Sequence, residues 1–140
     1  MDVKDQLVID SRLDAVAEAR EWLVSRTVQA GVSTKTINDL KLVLTEALSN
    51  VVRHAYDDEP GHPIELSLVV DAGALTLTIH DYGRPFDADS YQAPDLSDPQ
   101  EGGYGVFLMH NLMDQVHYDV SSGTGTTLTL VKRRKDSPQQ

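Results

Sequence analysis

The sequence predicts a single α/β (α+β) domain built as a two-layer sandwich, a mainly antiparallel, mixed β-sheet with helices on one face. Two observations predict this fold. Segments with an alternating apolar pattern, typical of strands, follow one another across short turns, as in hairpins. Segments with apolar residues at every third or fourth position are typical of helices that lie on a core. The 140 residues suffice for one such domain, which we expect to span residues 1–132.

Composition narrows the classes of function. The formal net charge of -10 disfavours direct binding to nucleic acid or to an anionic membrane. The chain contains no cysteine, which excludes disulfides, thiol catalysis and thiolate metal sites. It also has no signal peptide pattern and no apolar run of about twenty residues, the length of a membrane span. We therefore expect a cytoplasmic protein.

The first 31 residues predict a strand and a helix. Residues 6–9 are apolar enough for a short strand. Ser11, followed three residues later by Asp14, is typical of a helix start. The helix should reach about Ala30, and Gly31 is well placed to end it in a left-handed conformation.

Residues 40–56 predict the helix around which the candidate site is organised. Hydroxyl side chains within residues 33–36 are suited to cap its start. Its apolar stripe consists of Leu40, Val43, Leu44, Ala47, Val51 and Ala55. Glu46 and Asn50 fall one turn apart at the edge of that stripe, where their side chains could face a cleft. Taken alone, the short Glu-x-x-x-Asn pattern is more typical of a solvated polar pair than of a site.

A predicted hairpin delivers a second candidate group. Residues 64–70 and 75–79 alternate as strands around a tight turn at 71–73, and the second strand leads to Asp81 and Gly83. A buried carboxylate at a strand end needs a partner. Asp81 could cap its own turn, or it could accept a hydrogen bond from a ligand amine such as that of adenine. Gly83 would then let the base approach the backbone closely.

The second half of the chain predicts a lid, a helix and a further hairpin. Residues 84–105 show no sustained period and should form a mobile lid. The glycine-rich end of this segment precedes a helix predicted at 106–113, whose N-terminal amides favour phosphate. Strands are predicted at 116–120 and 126–131.

The turn at residues 122–125, which joins these two strands, is first a hairpin turn and only secondarily a phosphate contact. The basic run at 132–135 should be solvated, and residues 133–140 should form a flexible tail.

Four separated motifs together resemble the GHKL ATPase superfamily, and within it the anti-sigma factor serine/threonine kinases of the RsbW and SpoIIAB type. The motifs are EALSNVVRHAY from Glu46, DYGRPFD from Asp81, GGYGVFLMHNLMDQVHY from Gly102 and GTTLTL from Gly125. The resemblance implies a Bergerat ATP-binding fold with a mobile ATP lid, and the cofactors ATP and Mg²⁺. It also implies a homodimer that sequesters a sigma factor and phosphorylates a serine of a STAS-domain anti-anti-sigma partner.

The same resemblance implies roles for individual residues. Asn50 would ligate Mg²⁺, consistent with the preference of that ion for oxygen ligands. Glu46 would deprotonate the attacking hydroxyl as a general base. Asp81 and Gly83 would hold adenine, and Arg20 would contact protein partners. The remaining implied ATP contacts are Gly103, Tyr104, Gly105, Val106 and Thr127.

Two departures from the family pattern and two alternative functions remain. Tyr104 and Val106 stand in a glycine-rich segment where the family frequently has other residues. Pro85 stands where the family often has a second glycine, which should stiffen the start of the lid. One alternative is a binding module that uses nucleotide only to control its grip on a regulator. The other is a histidine kinase catalytic domain, although the 39 residues before Leu40 leave little room for a dimerisation hairpin with a phosphoacceptor histidine. Gyrase-like and chaperone ATPases need further domains.

Overall fold

The computed structural model describes residues 2–86 and 104–134, without the side chains of residues 104 and 105. Most of the predicted lid, residues 87–103, lies outside the described residues. The elements in chain order are β1 (Val3–Asp10), α1 (Ala15–Gln29), α2 (Thr34–Asn50), a π-helical segment (Val51–Ala55), β2 (Pro63–Val70), β3 (Ala74–Asp81), α3 (Tyr104–Leu112), β4 (Gln115–Asp119) and β5 (Thr126–Arg133).

The strands form one five-stranded sheet in the order β1-β2-β3-β5-β4. All four pairings in this sheet are antiparallel. The predicted α/β class, with a mainly antiparallel sheet, is therefore confirmed. The last strand, β5, inserts between β3 and β4, so that Thr126 lies opposite Asp81 on the neighbouring strand.

The core lies between one face of the sheet and the helices. Residues alternate along β3 between buried and half-exposed, as period-two patterning requires. The apolar side chains that are fully buried include Leu23, Leu40, Leu44, Leu48, Leu66, Leu68, Leu77, Ile79, Met109 and Leu130. Thr76, Thr78 and His80 alternate with the buried residues of β3 and lie on the opposite face. Within the two described ranges, no helix is long and apolar enough to cross a membrane.

The predictions for the end of α1 and the start of α2 are confirmed, whereas the prediction for the start of α1 is not. Gly31 has a φ of 76° just after α1, and the Ser33 side chain accepts a hydrogen bond from the Thr36 amide at the start of α2, both as predicted. The prediction that Ser11 helps to start α1 is wrong. Its hydroxyl instead donates to the Glu59 carbonyl at 2.7 Å, a contact across 48 residues that local patterning does not reveal.

The helix predicted over residues 40–56 changes character near its end. The α-helix stops at Asn50, and Val51–Ala55 continue as a π-helical segment with a bond from the Tyr56 amide to the Val51 carbonyl at 3.1 Å. Asp57 and Asp58 follow with φ of 51° and 63°. Five residues are too few for apolar spacing to distinguish the wider turn from an α-helix.

Two side chains of the basic run near the end of the chain make hydrogen bonds to distant segments. Lys132 donates from its ammonium group to the Leu112 carbonyl. Arg134 donates to the Asp71 and Ala30 carbonyls, each at 3.1 Å. Arg134 thus connects the end of β5 to the β2–β3 turn and to the C-terminus of α1, where carbonyl groups lack helical partners. The solvated-tail prediction is wrong for Lys132 and Arg134, because their acceptors belong to segments distant in sequence, whereas Arg133 is exposed.

Candidate functional site

The last turns of α2 present two polar side chains together. Glu46 and Asn50 are both half-buried, beside the fully buried Leu44 and Leu48. Neither polar side chain makes a hydrogen bond or an ion pair within residues 2–86 and 104–134. Nearby Thr45, by contrast, donates its hydroxyl to the Lys41 carbonyl at 2.8 Å. The predicted pair is therefore available to a ligand.

Asp81 lies at the end of β3 with only 3% of its surface exposed. Its Oδ1 accepts a hydrogen bond from the Gly83 amide at 3.0 Å, so it does cap its own turn. Burial raises the pKa of Asp81, while the amides of Gly83 and Thr126 act in the opposite direction. Because an ionised carboxylate accepts about four hydrogen bonds, the capping bond leaves capacity for a ligand amine.

Gly83 is needed for a reason that the sequence did not reveal. A Cβ at this position would stand 2.3 Å from the Ala55 carbonyl oxygen and 2.9 Å from the Tyr56 ring. The next amide, that of Arg84, donates to the same Ala55 oxygen at 2.7 Å. The turn after Asp81 therefore packs directly on the π-helical segment that follows Asn50, and the glycine permits that contact.

Tyr56 joins the same two parts of the site and was missed by sequence reasoning. Its hydroxyl donates to the Pro63 carbonyl at 2.8 Å and accepts from the Tyr82 amide at 2.7 Å. Burial raises the pKa of Tyr56, so the hydroxyl keeps the proton that it donates. An aromatic residue at the end of an apolar stripe was the available signal, but that position is equally typical of a plain core residue.

The start of β5 approaches Asp81 from the other side. Gly125 has a φ of +80°, and a Cβ there would stand 2.0 Å from the Asp81 carbonyl oxygen. Thr126 lies opposite Asp81, is buried, and accepts a hydrogen bond from the Phe86 amide at 2.9 Å. The hairpin interpretation of this turn therefore holds, with the added role of packing against Asp81.

Thr127 is not brought to this site. Successive side chains of a strand point to opposite faces, and Thr127 lies on the face away from the helices, 2.6 Å from Nδ1 of His80. Thr126 is therefore the threonine of this motif that lies beside Asp81 on the helix-facing side of the sheet. Thr126 and Leu128 are two residues apart and share the buried face of β5, and this period of two could have shown from the sequence which threonine faces the helices.

The start of α3 was predicted to border phosphates. Tyr104 and Gly105 form its first turn, whereas Gly103 lies outside the described residues. Val106 is buried in the core with 7% of its surface exposed, so only its backbone could contact a ligand. Amides in the first turn of a helix lack helical acceptors and favour anions.

Arg20 lies on α1 and contacts α2 one residue before Glu46. Its guanidinium donates to the Thr45 hydroxyl at 3.3 Å, so the side chain is half-buried rather than fully solvated. A groove of about 370 Å³ runs beside it. The groove is lined by Ala17, Arg20, Glu21, Val24, Ser25 and Lys41.

Most of the chain is similar to known proteins. A family model described as histidine kinase-like ATPase domain matches residues 9–132. Among curated proteins, a serine-protein kinase RsbW from Bacillus velezensis is 30% identical, over 91% of this chain and 83% of the relative. An anti-sigma F factor from Geobacillus stearothermophilus is 27% identical, over 90% of this chain and 89% of the relative.

A solved structure shows the same fold. It contains the RsbU and RsbW domains of Rv1364c from Mycobacterium tuberculosis and superimposes with a TM-score of 0.67 at 19% identity. The match covers 97% of this chain and 34% of that longer chain. The resemblance found in the sequence is thereby confirmed, and the chain belongs to the histidine kinase-like ATPase family.

Proposed function

We propose that this protein binds Mg-ATP and transfers the γ-phosphoryl group to a serine or threonine of a protein partner, and that it acts as an anti-sigma factor. One observation carries the proposal. Within residues 2–86 and 104–134, Glu46 and Asn50 make no hydrogen bond or ion pair, and the π-helical segment that follows them is hydrogen bonded through Ala55 and Arg84 to the turn after Asp81. This contact supports the proposal that the two side chains and Asp81 serve one site.

Adenine would bind at Asp81. The buried carboxylate can accept a hydrogen bond from the exocyclic amine, and a charge-assisted bond in a partly desolvated site contributes strongly to affinity. Thr126 lies opposite Asp81 on the helix-facing side of the sheet and is the threonine of the GTT motif available there. The phosphates would lie towards the first turn of α3, where free amides favour negative charge.

Magnesium would be held by Asn50. Mg²⁺ commonly takes one or two protein oxygens and completes its shell with phosphates and water. The amide oxygen of Asn50 fits this pattern because the side chain has no partner within the described residues. No cluster of three or more His, Cys, Asp or Glu side chains suited to a metal occurs in the same residues. The ion would neutralise phosphate charge during transfer.

Glu46 would act on the acceptor hydroxyl. One helical turn separates it from Asn50, which places a proton acceptor beside the phosphate end of the bound nucleotide. The carboxylate takes the hydroxyl proton as the hydroxyl oxygen bonds to the γ-phosphorus and the bond from that phosphorus to the oxygen bridging to ADP breaks. The products are a phosphorylated side chain and ADP.

The partners follow from the relatives, which are named serine-protein kinase RsbW and anti-sigma F factor. By this analogy the protein sequesters a sigma factor in the cytoplasm and phosphorylates a STAS-domain anti-anti-sigma protein, as a homodimer. The groove beside Arg20 supports a partner surface on the α1–α2 side. Arg20 is a half-buried cation on an acidic protein, so it would select partners with an acidic contact.

Two substitutions in the candidate site test the proposal with labelled ATP and STAS proteins from the same genome. Glu46→Gln keeps the shape of the side chain but cannot take a proton, so transfer should fall by about 10² to 10⁴ while ATP affinity changes little. Asn50→Ala should lose magnesium-dependent ATP binding together with transfer. Glu18→Gln, the same change at an exposed position on α1, is the matched control and should behave as the parent.

The outcomes separate the proposal from its main alternative. If Glu46→Gln transfers phosphate at the parent rate, Glu46 is not the base. If the parent binds Mg-ATP and a sigma factor but transfers phosphate to no STAS protein, the chain is a nucleotide-controlled binding module.

A further inference from the structure

We propose that Tyr56 is a positioning residue that holds the Asp81 turn in the geometry that recognises the 6-amino group of adenine. The inference rests on the proposed function, because it concerns how the same site selects its nucleotide. Tyr56 would act through Asp81 and would not touch the nucleotide.

The hydroxyl of Tyr56 bridges two backbone groups that belong to different strands. It accepts from the Tyr82 amide at 2.7 Å and donates to the Pro63 carbonyl at 2.8 Å, at the start of β2. Tyr82 lies between Asp81 and Gly83, inside the turn that Asp81 caps. The tyrosine therefore holds the centre of the turn, while the capping bond holds its two ends.

Steric contacts confine the same turn on both sides. Gly125, the residue just before β5, leaves no room for a Cβ beside the Asp81 carbonyl, since that atom would lie 2.0 Å from the oxygen. On the opposite side, a Cβ added at Gly83 would lie 2.3 Å from the Ala55 carbonyl oxygen. Packing thus limits how far the turn can shift, and Tyr56 supplies a directed bond that fixes its orientation within that space.

Tyr56 also connects the turn to the helix that carries Asn50. It directly follows the π-helical segment, and its own amide donates to the Val51 carbonyl in that segment. Arg84, just after the turn, donates to the Ala55 carbonyl and pairs with Asp57. The group predicted to hold the metal and the group predicted to hold adenine are therefore fixed relative to each other through Tyr56 and its neighbours.

The consequence for selectivity is specific. Asp81 recognises the exocyclic amine only if a carboxylate oxygen points at it, because hydrogen bonds weaken steeply as they lose alignment. Removing the Tyr56 hydroxyl leaves the Tyr82 amide without this acceptor. The turn can then rotate within the space that packing leaves it. In the proposed site the phosphates lie towards the first turn of α3 and not at this turn, so the preference for the amine should be lost before binding as a whole.

The test compares two nucleotides on purified full-length protein. Isothermal calorimetry with Mg²⁺ measures the affinity for ATP and for purine riboside 5′-triphosphate, which lacks the 6-amino group. The parent should prefer ATP by about ten- to a hundredfold, the effect of one hydrogen bond to a charged group. Tyr56→Phe should reduce that preference by about tenfold. The ratio of two affinities is independent of the folded fraction, so loss of stability cannot mimic the result.

A matched variant and a double variant complete the design. Tyr82→Phe removes the same atom from a side chain on the outer face, where its hydroxyl donates to Glu65 at 3.0 Å, and should keep the parent preference. Adding Tyr56→Phe to Asp81→Asn should lower the preference no further than Asp81→Asn alone, because both act through one hydrogen bond.

The possible failures are distinguishable. If the parent prefers ATP and Tyr56→Phe keeps the full preference, the positioning role is overturned and the proposed function stands. If Tyr82→Phe loses as much as Tyr56→Phe, the effect is not specific to Tyr56 and the role is also overturned. If the parent does not distinguish the two nucleotides, the assignment of Asp81 to adenine falls, and the inference falls with it.

Discussion

The two glycines of the β4–β5 turn offer a matched pair for testing how tightly Asp81 is enclosed. Gly123 and Gly125 both have a φ of +80°. A Cβ at Gly123 would meet nothing within 4 Å, whereas one at Gly125 would lie 2.0 Å from the Asp81 carbonyl oxygen and 2.8 Å from the Tyr82 Cα. Alanine at either position meets the same backbone strain, but only alanine at Gly125 meets a clash.

The expected magnitudes follow from these two contributions. An L-residue held at left-handed φ costs about 1–2 kcal/mol of folding free energy, which both variants lose. Forcing an extra carbon into a filled space costs a further 1–3 kcal/mol or so, which only Gly125→Ala loses. We expect a loss of about 1–2 kcal/mol for Gly123→Ala and about 2–5 kcal/mol for Gly125→Ala. The effect of alanine on the unfolded chain is the same in both and cancels.

Urea unfolding measures the difference directly. The single tryptophan, Trp22, is a buried residue of α1 whose indole nitrogen donates to Asp5 on β1 at 3.0 Å, so its fluorescence reports loss of the fold. The midpoint should fall further for Gly125→Ala at an unchanged slope. ATP affinity should also fall in Gly125→Ala alone, since its new carbon displaces the Asp81 backbone. Equal losses of stability in the two variants would show that the turn does not press on Asp81.

Three further predictions concern single side chains. Asp81→Asn should weaken ATP binding about ten- to a hundredfold. The ATP affinity of the parent, measured by calorimetry, should fall as the pH drops through the raised pKa of Asp81, and the affinity of the variant should not. Hydrogen bonds from Arg26 and Trp22 lower the pKa of Asp5 from 3.8 to about 2, so Asp5 should stabilise the fold above pH 3.8 and lose this contribution as the pH falls towards 2. An NMR titration of its carboxyl group with a midpoint near 3.8 would contradict this. Arg20→Glu should weaken binding to the sigma factor and to the STAS protein in a pull-down, whereas Lys35→Glu, the same charge reversal at an exposed site, should not. Binding retained by Arg20→Glu would assign Arg20 to the fold alone.

Local patterning was enough to predict the elements and their class. Strands with one buried face and helices on one face of the sheet follow from periods of two and 3.6, which depend only on neighbours along the chain. Residues 64–70 and 75–79, predicted as a hairpin, match β2 and β3 within a residue or two at each end. The pair Glu46 and Asn50 was also predictable, because a helix places residues four apart on one face. The order of the four motifs then identified the family.

Tertiary structure decided which groups enclose the site. Sheet order places β5 beside β3, and that pairing alone brings Gly125 and Thr126 to Asp81 across some 45 residues of chain. The same applies to Tyr56, whose hydroxyl meets the Tyr82 amide 26 residues away, and to Arg134, which reaches Ala30 across 104 residues. Periodicity shows which face of an element is buried, but strand order and close backbone contacts depend on packing between distant segments. No local pattern in the sequence contains that information.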